Sequence, residues 1–254
     1  MADNKQGNKP SLSVLHHSDT EMGLLMLRQR WSLALERDVF EVTMNGRLMV
    51  SSAVNISERA LADRALALLP NRQLHVLVGG LGLGFTALAA LADERVQRLT
   101  IVEILAPVVE WHQTGMLPWS GDLVSNPNVT VLTEDFFALI ADVPKAQYDA
   151  ILIDIDDSPT RLWRQSHAGL YGVKGLEALK QHLHPDGVLA IWCATHPGQR
   201  FLSSAEAAFA SAELIQVRFE NPCQRQPETN FLLLAHHPGR KDHDEKHPVS
   251  GSSP

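Results

Sequence analysis

The sequence predicts an α/β protein built on a mostly parallel sheet with helices on both faces. Apolar runs of strand length recur between residues 75 and 236 and alternate with helix-like segments. Continuous Val, Ile and Leu runs of this kind are typical of parallel strands that are buried on both faces. The seven candidate strands are residues 75–79, 99–104, 129–133, 150–155, 188–193, 214–219 and 231–236.

Helical segments separate the first six strands, as expected when parallel strands are joined by crossover helices. These segments are residues 86–92, 106–114, 136–141, 169–183 and 201–210. The loop 220–230 has little helical pattern, so the last two strands are predicted to form a hairpin that places an antiparallel strand at the sheet edge. A further amphipathic helix, residues 57–69, precedes the sheet, with Ser57 as its candidate N-cap.

An N-terminal β-hairpin unit is predicted ahead of this sheet. Residues 23–52 have a strand-like pattern, and Asn45-Gly46 separates the runs 39–44 and 47–51. Asn-Gly is a strong hairpin signal because both turn positions require a positive φ. We therefore divide the chain into the hairpin unit, residues 12–56, and a larger Rossmann-like domain, residues 57–238. The polar ends, residues 1–11 and 239–254, have little to bury and are predicted to be disordered.

The composition excludes several classes of protein. The chain has 254 residues, of which 44% are hydrophobic and 20% charged, as in ordinary globular proteins. A formal net charge of −7 argues against a nucleic-acid partner. No apolar run reaches the roughly 18 residues of a membrane helix, and the polar start of the chain predicts a cytoplasmic location without a membrane partner. Two cysteines argue against a disulfide framework or a Cys-built zinc site, and we predict no metal.

A glycine-rich loop and a distant carboxylate predict a nucleoside-containing ligand. Gly80, Gly82 and Gly84 lie between an apolar strand and a helix. A Cβ there would block the tight bend and the approach of backbone N–H groups to a ligand, although glycines also end strands for structural reasons alone. Glu103 follows Gly80 by 23 positions and ends the next strand. A carboxylate at this place can accept hydrogen bonds from ribose hydroxyls.

Further carboxylates follow later strands of the predicted sheet. Asp154, Asp156 and Asp157 cluster at the end of one strand, and Asp135 follows another. Because the carboxyl ends of parallel strands meet at one edge, we expect Glu103 and these residues to converge on one crevice. Clustered carboxylates repel one another and are typical of sites that handle a cation or a proton, but they are also found in solvated loops and helix caps.

These motifs resemble those of the spermidine synthase-like branch of the S-adenosylmethionine-dependent methyltransferase fold. The matching segments are residues 80–85, 102–105, 134–135 and 148–158 within a resemblance over about residues 24–236. The resemblance implies S-adenosylmethionine, or its decarboxylated form, as cofactor. It places Glu103 on the ribose, Asp135 on the adenine amino group, and Ile104 and Phe136 against the base.

The substrate side of the crevice is predicted to bind a small-molecule amine. Transfer from a sulfonium to an amine requires a neutral nitrogen, so a carboxylate can orient the ammonium and accept its proton. We predict this catalytic role for Asp154, with Asp157 as a second amine ligand. Asp156, Tyr171 and Trp163 are predicted to be substrate-binding residues, with Trp163 in a lid; for Tyr171 the prediction comes from the resemblance.

Departures from the family pattern favour methyl transfer. The acidic loop residue of polyamine aminopropyltransferases is Leu83 here, and their Tyr-His-Glu is Ser57-Glu58-Arg59. An apolar Leu83 cannot satisfy an ammonium that leaves water. An aminopropyltransferase that uses putrescine and a catalytically silent nucleoside-binding protein stay open as alternatives, as does a nicotinamide-dependent oxidoreductase. The N-terminal hairpins, whose edges have unpaired backbone groups, are predicted to pair with another subunit in a homodimer.

Overall fold

The computed structural model describes residues 12–224 and 226–237. The N-terminal strands are β1 (Leu12–Thr20), β2 (Gly23–Ser32), β3 (Arg37–Met44) and β4 (Arg47–Ser51). The later strands are β5 (Leu74–Gly79), β6 (Val96–Val102), β7 (Val129–Leu132), β8 (Tyr148–Ile153), β9 (Leu183–Cys193), β10 (Ser211–Phe219) and β11 (Glu228–His236). The helices are α1 (Ile56–Leu66), α2 (Phe85–Leu91), α3 (Ala106–Gln113), α4 (Gly121–Val124), α5 (Phe136–Ala141), α6 (Val173–Gln181) and α7 (Gln199–Ala208), with a 3-10 helix at Gln165–Gly169. The predicted disordered ends lie outside the described residues.

The N-terminal strands form a separate antiparallel sheet in the order β1-β2-β3-β4. The predicted turn at Asn45-Gly46 is present between β3 and β4, with φ angles of 51° and 76°. The Asn45 side chain also reaches the neighbouring turn, where its Oδ1 accepts a hydrogen bond from Leu24 N at 2.9 Å. Strand β1 was not predicted, because its residues alternate irregularly and none of them is buried.

The larger sheet has seven strands in the order β10-β11-β9-β8-β5-β6-β7. Strands β5 to β9 are parallel to their neighbours within this group, which confirms the predicted mostly parallel sheet. The predicted hairpin β10–β11 lies at one edge of this sheet. Within it, β11 pairs antiparallel with both β9 and β10, so β11 is the reversed strand and β10 is the outermost one.

Two helix predictions were wrong in detail. The N-cap of α1 is Asn55, not Ser57, and the Ser57 hydroxyl is buried at 2.8 Å from oxygens of Glu58 and Asn230. The predicted helix 169–183 is shorter, because residues 165–169 form the 3-10 helix and Leu183 already belongs to β9. Among the described helices, none combines the length and apolarity needed to cross a membrane.

The hydrophobic core has one cluster on each face of the large sheet. Val76 and Val78 of β5 belong to one cluster, and Leu77 between them belongs to the other. The first cluster also contains Leu27 and Phe40 of the N-terminal sheet, packed with residues of α1, α2 and α3. The N-terminal sheet therefore packs on one face of the larger domain through a shared core, which brings its strands close to the glycine-rich loop.

Candidate active site

A cavity lies at the carboxyl ends of the parallel strands and is covered by the N-terminal sheet. Its volume is about 1080 Å³, and part of this volume is open to solvent. Its walls come from the glycine-rich loop, the ends of β6 and β8, the start of α5, and β3, β4 and the β1–β2 turn of the N-terminal sheet. The predicted site residues that line it are Gly80, Gly82, Gly84, Glu103, Ile104, Asp135, Phe136, Asp154, Asp156, Asp157 and Trp163.

The glycine-rich loop needs residues without a Cβ for both conformational and steric reasons. Gly80 has a φ of 91°, and a Cβ there would lie 2.3 Å from the carbonyl oxygen of Asp154. Gly84 has a φ of 87° at the start of α2, where a Cβ would lie 2.9 Å from His112. Both positions are in the left-handed region that other residues adopt at a cost. The loop can therefore approach the end of β8 closely, and its N–H groups at Gly80 and Leu81 donate hydrogen bonds to Val102 O and to the Glu103 carboxylate.

Two residues outside the predicted site, His112 and Trp119, support this loop. The buried His112 ring lies with Nε2 3.0 Å from the Gly82 carbonyl oxygen and Nδ1 3.0 Å from Ser120 Oγ. Burial lowers the pKa of His112, so the neutral ring is favoured. Trp119 Nε1 donates a hydrogen bond to the carbonyl oxygen of Leu83 at 2.6 Å. These contacts hold two successive loop residues in place.

Glu103 connects the glycine-rich loop to the end of β6. Its carboxylate is buried and accepts hydrogen bonds from Leu81 N at 2.9 Å and Leu105 N at 2.8 Å. Burial raises the pKa of Glu103, and the backbone donors oppose that shift. The Glu103 carboxylate also lines the cavity, where the hydroxyls of a bound diol could approach it.

Asp135 has one oxygen in a structural role and one that is available to a ligand. It is the N-cap of α5, where its Oδ1 accepts a hydrogen bond from Phe137 N at 2.8 Å. Among the described residues, none is hydrogen-bonded to Oδ2. The apolar side chain of Ile104 is 39% exposed at the cavity wall, while the Phe136 ring packs against Gly79. A flat base could lie against Ile104 and present an amino group to Asp135.

Asp154 and Glu58 both line the cavity, and Thr86 lies between them, with its Oγ1 3.3 Å from the carbonyl oxygen of Glu58. Asp154 directly follows β8, and its Oδ2 accepts a hydrogen bond from Thr86 Oγ1 at 2.7 Å. Burial raises the pKa of Asp154 to about 6. Burial, and then the negative charge of Asp154, raise the pKa of Glu58 to about 7. Such a pair favours a bound cation or a shared proton.

Glu58 is a site residue that the sequence analysis missed. A glutamate in the first turn of an amphipathic helix usually faces solvent, where it interacts favourably with the helix dipole. Here α1 packs beside α2 and the end of β8, which brings Glu58 into the cavity wall. One signal in the sequence points to Glu58: the segment Ser57-Glu58-Arg59 stands where polyamine aminopropyltransferases have Tyr-His-Glu.

Asp156, which lines the cavity, and Tyr171 have hydrogen-bond partners within the protein, and substrate binding by these two residues stays a prediction. Both residues are buried, and the Tyr171 hydroxyl donates a hydrogen bond to Asp156 at 3.0 Å. Asp156 also accepts hydrogen bonds from Trp163 N at 2.7 Å and His167 Nδ1 at 3.0 Å. Burial and the charge of Asp156 raise the pKa of Tyr171 well above its usual value, so the hydroxyl stays a donor. These hydrogen bonds hold the segment after β8 at the edge of the cavity.

Asp157 lines the cavity, but its charge is compensated by two arginines. It forms ion pairs with Arg47 of β4 and, at 3.3 Å, with Arg161. The Arg47 guanidinium carbon also lies 4.1 Å from the centroid of the Trp163 ring. The predicted role of Asp157 as an amine ligand would require an ammonium to compete with these partners. Asp157, Arg47 and Trp163 instead join the N-terminal sheet to the segment after β8.

The sheet order, the glycine-rich loop after β5 and the acids at the ends of β6 and β8 define the Rossmann-like methyltransferase fold. Together with the four-stranded N-terminal sheet, the chain has the spermidine synthase-like form of that fold. Spermidine synthase from Thermotoga maritima superposes with a TM-score of 0.70 at 17% identity, covering 88% of this chain and 72% of that one. Human methyltransferase-like protein 13 in complex with SAH superposes with a TM-score of 0.58 at 21% identity, covering 76% of this chain and 86% of that one.

Curated relatives match parts of the chain, and no protein-family model matches it. Putrescine N-methyltransferase 3 of Nicotiana tabacum is 27% identical over 151 residues, which cover 57% of this chain and 37% of the relative. The polyamine aminopropyltransferase of Prochlorococcus marinus is 33% identical over 117 residues, which cover 45% of this chain and 38% of the relative. The matched segments thus span less than two fifths of the length of these relatives.

Proposed function

We propose that this chain is an S-adenosylmethionine-dependent transferase that moves an alkyl group, preferably methyl, to the amine nitrogen of a small molecule. The observation that carries the proposal is that Glu58 and Asp154, which both contact Thr86, line one cavity together with the glycine-rich loop. The partial matches to putrescine N-methyltransferases and polyamine aminopropyltransferases support it, because both kinds of enzyme modify amines.

The residues present fit the proposed donor. Glu103 would bind the ribose hydroxyls, Asp135 Oδ2 the adenine amino group, and Ile104 and Phe136 the base. The backbone of Gly80, Gly82 and Gly84 would leave room for the chain that carries the sulfur. When bound, the donor would supply an alkyl carbon attached to a positively charged sulfur.

Asp154 would receive the proton that the amine loses. A bound ammonium would be oriented by Asp154 and Glu58, and its proton would pass to Asp154 so that the nitrogen lone pair is free to attack. The new bond would join nitrogen to the alkyl carbon, and the pair of electrons of the broken carbon–sulfur bond would stay on sulfur. Alignment of nitrogen, carbon and sulfur in one cavity would contribute much of the rate.

A second candidate is aminopropyl transfer from decarboxylated S-adenosylmethionine. One observation favours it: among the described residues that line the cavity, Lys and Arg are absent, whereas several lining residues are acidic. A carboxylated donor would bring a negative charge into this environment and would have to rely on backbone N–H groups. Calorimetry can therefore distinguish between the carboxylated and the decarboxylated donor.

The experiment is a calorimetric titration of the purified protein with S-adenosylmethionine and, in parallel, with its decarboxylated form. Tighter binding of the carboxylated donor supports methyl transfer, and tighter binding of the decarboxylated donor supports aminopropyl transfer. Binding of neither contradicts both. Asp154→Asn should keep donor binding and lose turnover, and an unchanged turnover would instead indicate that Asp154 is not the base.

For the supporting residues we propose roles that follow from their contacts. Asp156 and Tyr171 would hold the segment that carries Trp163, and Trp163 would cover the amine side of the cavity. We also propose a homodimer that forms through the N-terminal sheet, where Leu12 and Val14 of the edge strand β1 are 49% and 53% exposed. Light scattering tests the dimer.

The proposed location is the cytoplasm, and cell fractionation tests it. Support comes from Cys193 and Cys223, which are both free thiols, as is usual in a reducing compartment.

A further inference from the structure

The N-terminal sheet contributes an apolar surface to the cavity. We call this surface the roof; it consists of Met22, Val42, Met49 and Val50. Val50 Cγ1 lies 3.7 Å from the position of a Cβ built on Gly82, so the roof is in contact distance of the glycine-rich loop. Met22, Met49 and Val50 keep part of their surface exposed, and this surface is available to a bound molecule.

The carboxylates of the cavity differ in how much charge they can offer to a cation. Asp157 is paired with Arg47 and Arg161, and Asp156 is buried among three hydrogen-bond donors. On the donor side, Glu103 accepts backbone hydrogen bonds and Asp135 caps α5. Asp154 and Glu58 have a hydroxyl near them but no cationic partner among the described residues.

The cavity thus has one place that suits an ammonium and a roof that does not. A second ammonium on the same molecule would have to lie against Met49 and Val50 or displace an arginine from Asp157. A charge that leaves water without a partner is strongly disfavoured, whereas an alkyl or aromatic group gains from the same contact.

We propose that the acceptor is a monoamine with an apolar body, bound with its amino group at Glu58 and Asp154 and its body against the roof. This inference rests on the proposed function and narrows its substrate class. It predicts that the chain discriminates against diamines, although the partially matching curated relatives include putrescine N-methyltransferases.

The test compares pentan-1-amine with 1,4-diaminobutane, which have equal numbers of heavy atoms and differ by a methyl group in place of an ammonium. Each amine is titrated at pH 8 into the full chain saturated with S-adenosylhomocysteine, and kcat/KM is measured with the better donor. We expect pentan-1-amine to bind at least tenfold more tightly and to have the higher kcat/KM. Equal or tighter binding of 1,4-diaminobutane would overturn the proposal.

Two substitutions on β4 locate the apolar end of the acceptor. Met49→Glu places a carboxylate in the roof and should shift the preference toward 1,4-diaminobutane by at least tenfold. Leu48→Glu makes the same change at the neighbouring residue, which is 48% exposed, and should leave the ratio unchanged. An unshifted ratio in folded Met49→Glu would contradict the proposed pose.

The two proposals fail in different ways. If no amine is turned over with either donor but pentan-1-amine still binds preferentially, the transferase function is wrong and the monoamine site stands. If turnover occurs with a preference for 1,4-diaminobutane, the transferase function stands and the monoamine inference is wrong.

Discussion

Replacing Glu58 by Gln should stabilise the protein at alkaline pH much more than at acid pH. Burial, and to a smaller extent the negative charge of Asp154, raise the pKa of Glu58 from 4.5 to about 7. Because the folded-state pKa is the higher one, the stability linked to this group is present below pH 4.5 and is lost as the pH rises through about 7. The neutral amide of the Glu58→Gln variant does not ionise, so the variant escapes this loss.

The size of the effect follows from the pKa difference. A shift of about 2.5 units at about 1.4 kcal/mol per unit corresponds to a free energy on the order of 3 kcal/mol. The difference in unfolding free energy between Glu58→Gln and the parent should therefore grow by about this amount between pH 4.5 and pH 8. Comparing the variant with the parent at each pH cancels the contributions of the ionisable groups that both proteins share.

The assay is urea denaturation followed by tryptophan fluorescence at several pH values. Glu177→Gln on α6, where the side chain is exposed, makes the same chemical change without burial and serves as the matched control. The difference in unfolding free energy between Glu177→Gln and the parent should vary little with pH. A Glu58→Gln difference that stays flat within about 1 kcal/mol would show that Glu58 is not held in a poorly solvated site beside Asp154, and would refute the reasoning.

Three further predictions address the loop, the supporting segment and the chemistry. Gly80→Ala should lower the unfolding free energy by at least about 2 kcal/mol in denaturation experiments, because its φ is 91° and the new Cβ meets the Asp154 carbonyl; parent-like stability would contradict the loop geometry. Tyr171→Phe should cost about 1 to 3 kcal/mol by removing a donor from buried Asp156, and an unchanged melting temperature would argue against that hydrogen bond. With a saturating donor, log kcat/KM should rise with pH through about 6 to 7 as Asp154 and Glu58 ionise, and a flat profile from about pH 5 to 8 would exclude both as bases.

Most of the fold could be predicted because hydrophobic periodicity reports which faces of an element are buried. The parallel strands at the centre of the large sheet are buried on both faces, so their continuous apolar runs are readable from the sequence. The sequence does not predict strand β1, because this strand lies at an edge of the N-terminal sheet and none of its residues is buried. The N-cap of α1 was placed at Ser57 rather than Asn55, since a serine at a helix start is as compatible with burial against Asn230 as with capping.

The positions of the residues on the proposed donor side could also be predicted from local signals. Gly80 and Glu103 are placed by their distance from strand ends, and parallel strands bring their carboxyl ends to one edge whatever the rest of the chain does. The amine side was less predictable. Asp154, Asp156 and Asp157 all follow β8 and line the cavity, and the local sequence does not say which of them lacks a cationic partner.

The sequence by itself determined the sheet, the glycine-rich turn and the edge at which the carboxylates collect, because these depend on short-range periodicity and backbone conformation. The tertiary structure decided which carboxylates keep an available charge. Arg47 reaches Asp157 across 110 positions, and α1 brings Glu58 to Asp154 from the other side of the glycine-rich loop. Burial and neighbouring charges set the pKa of a carboxyl group, and the neighbours of these carboxylates come from distant parts of the chain.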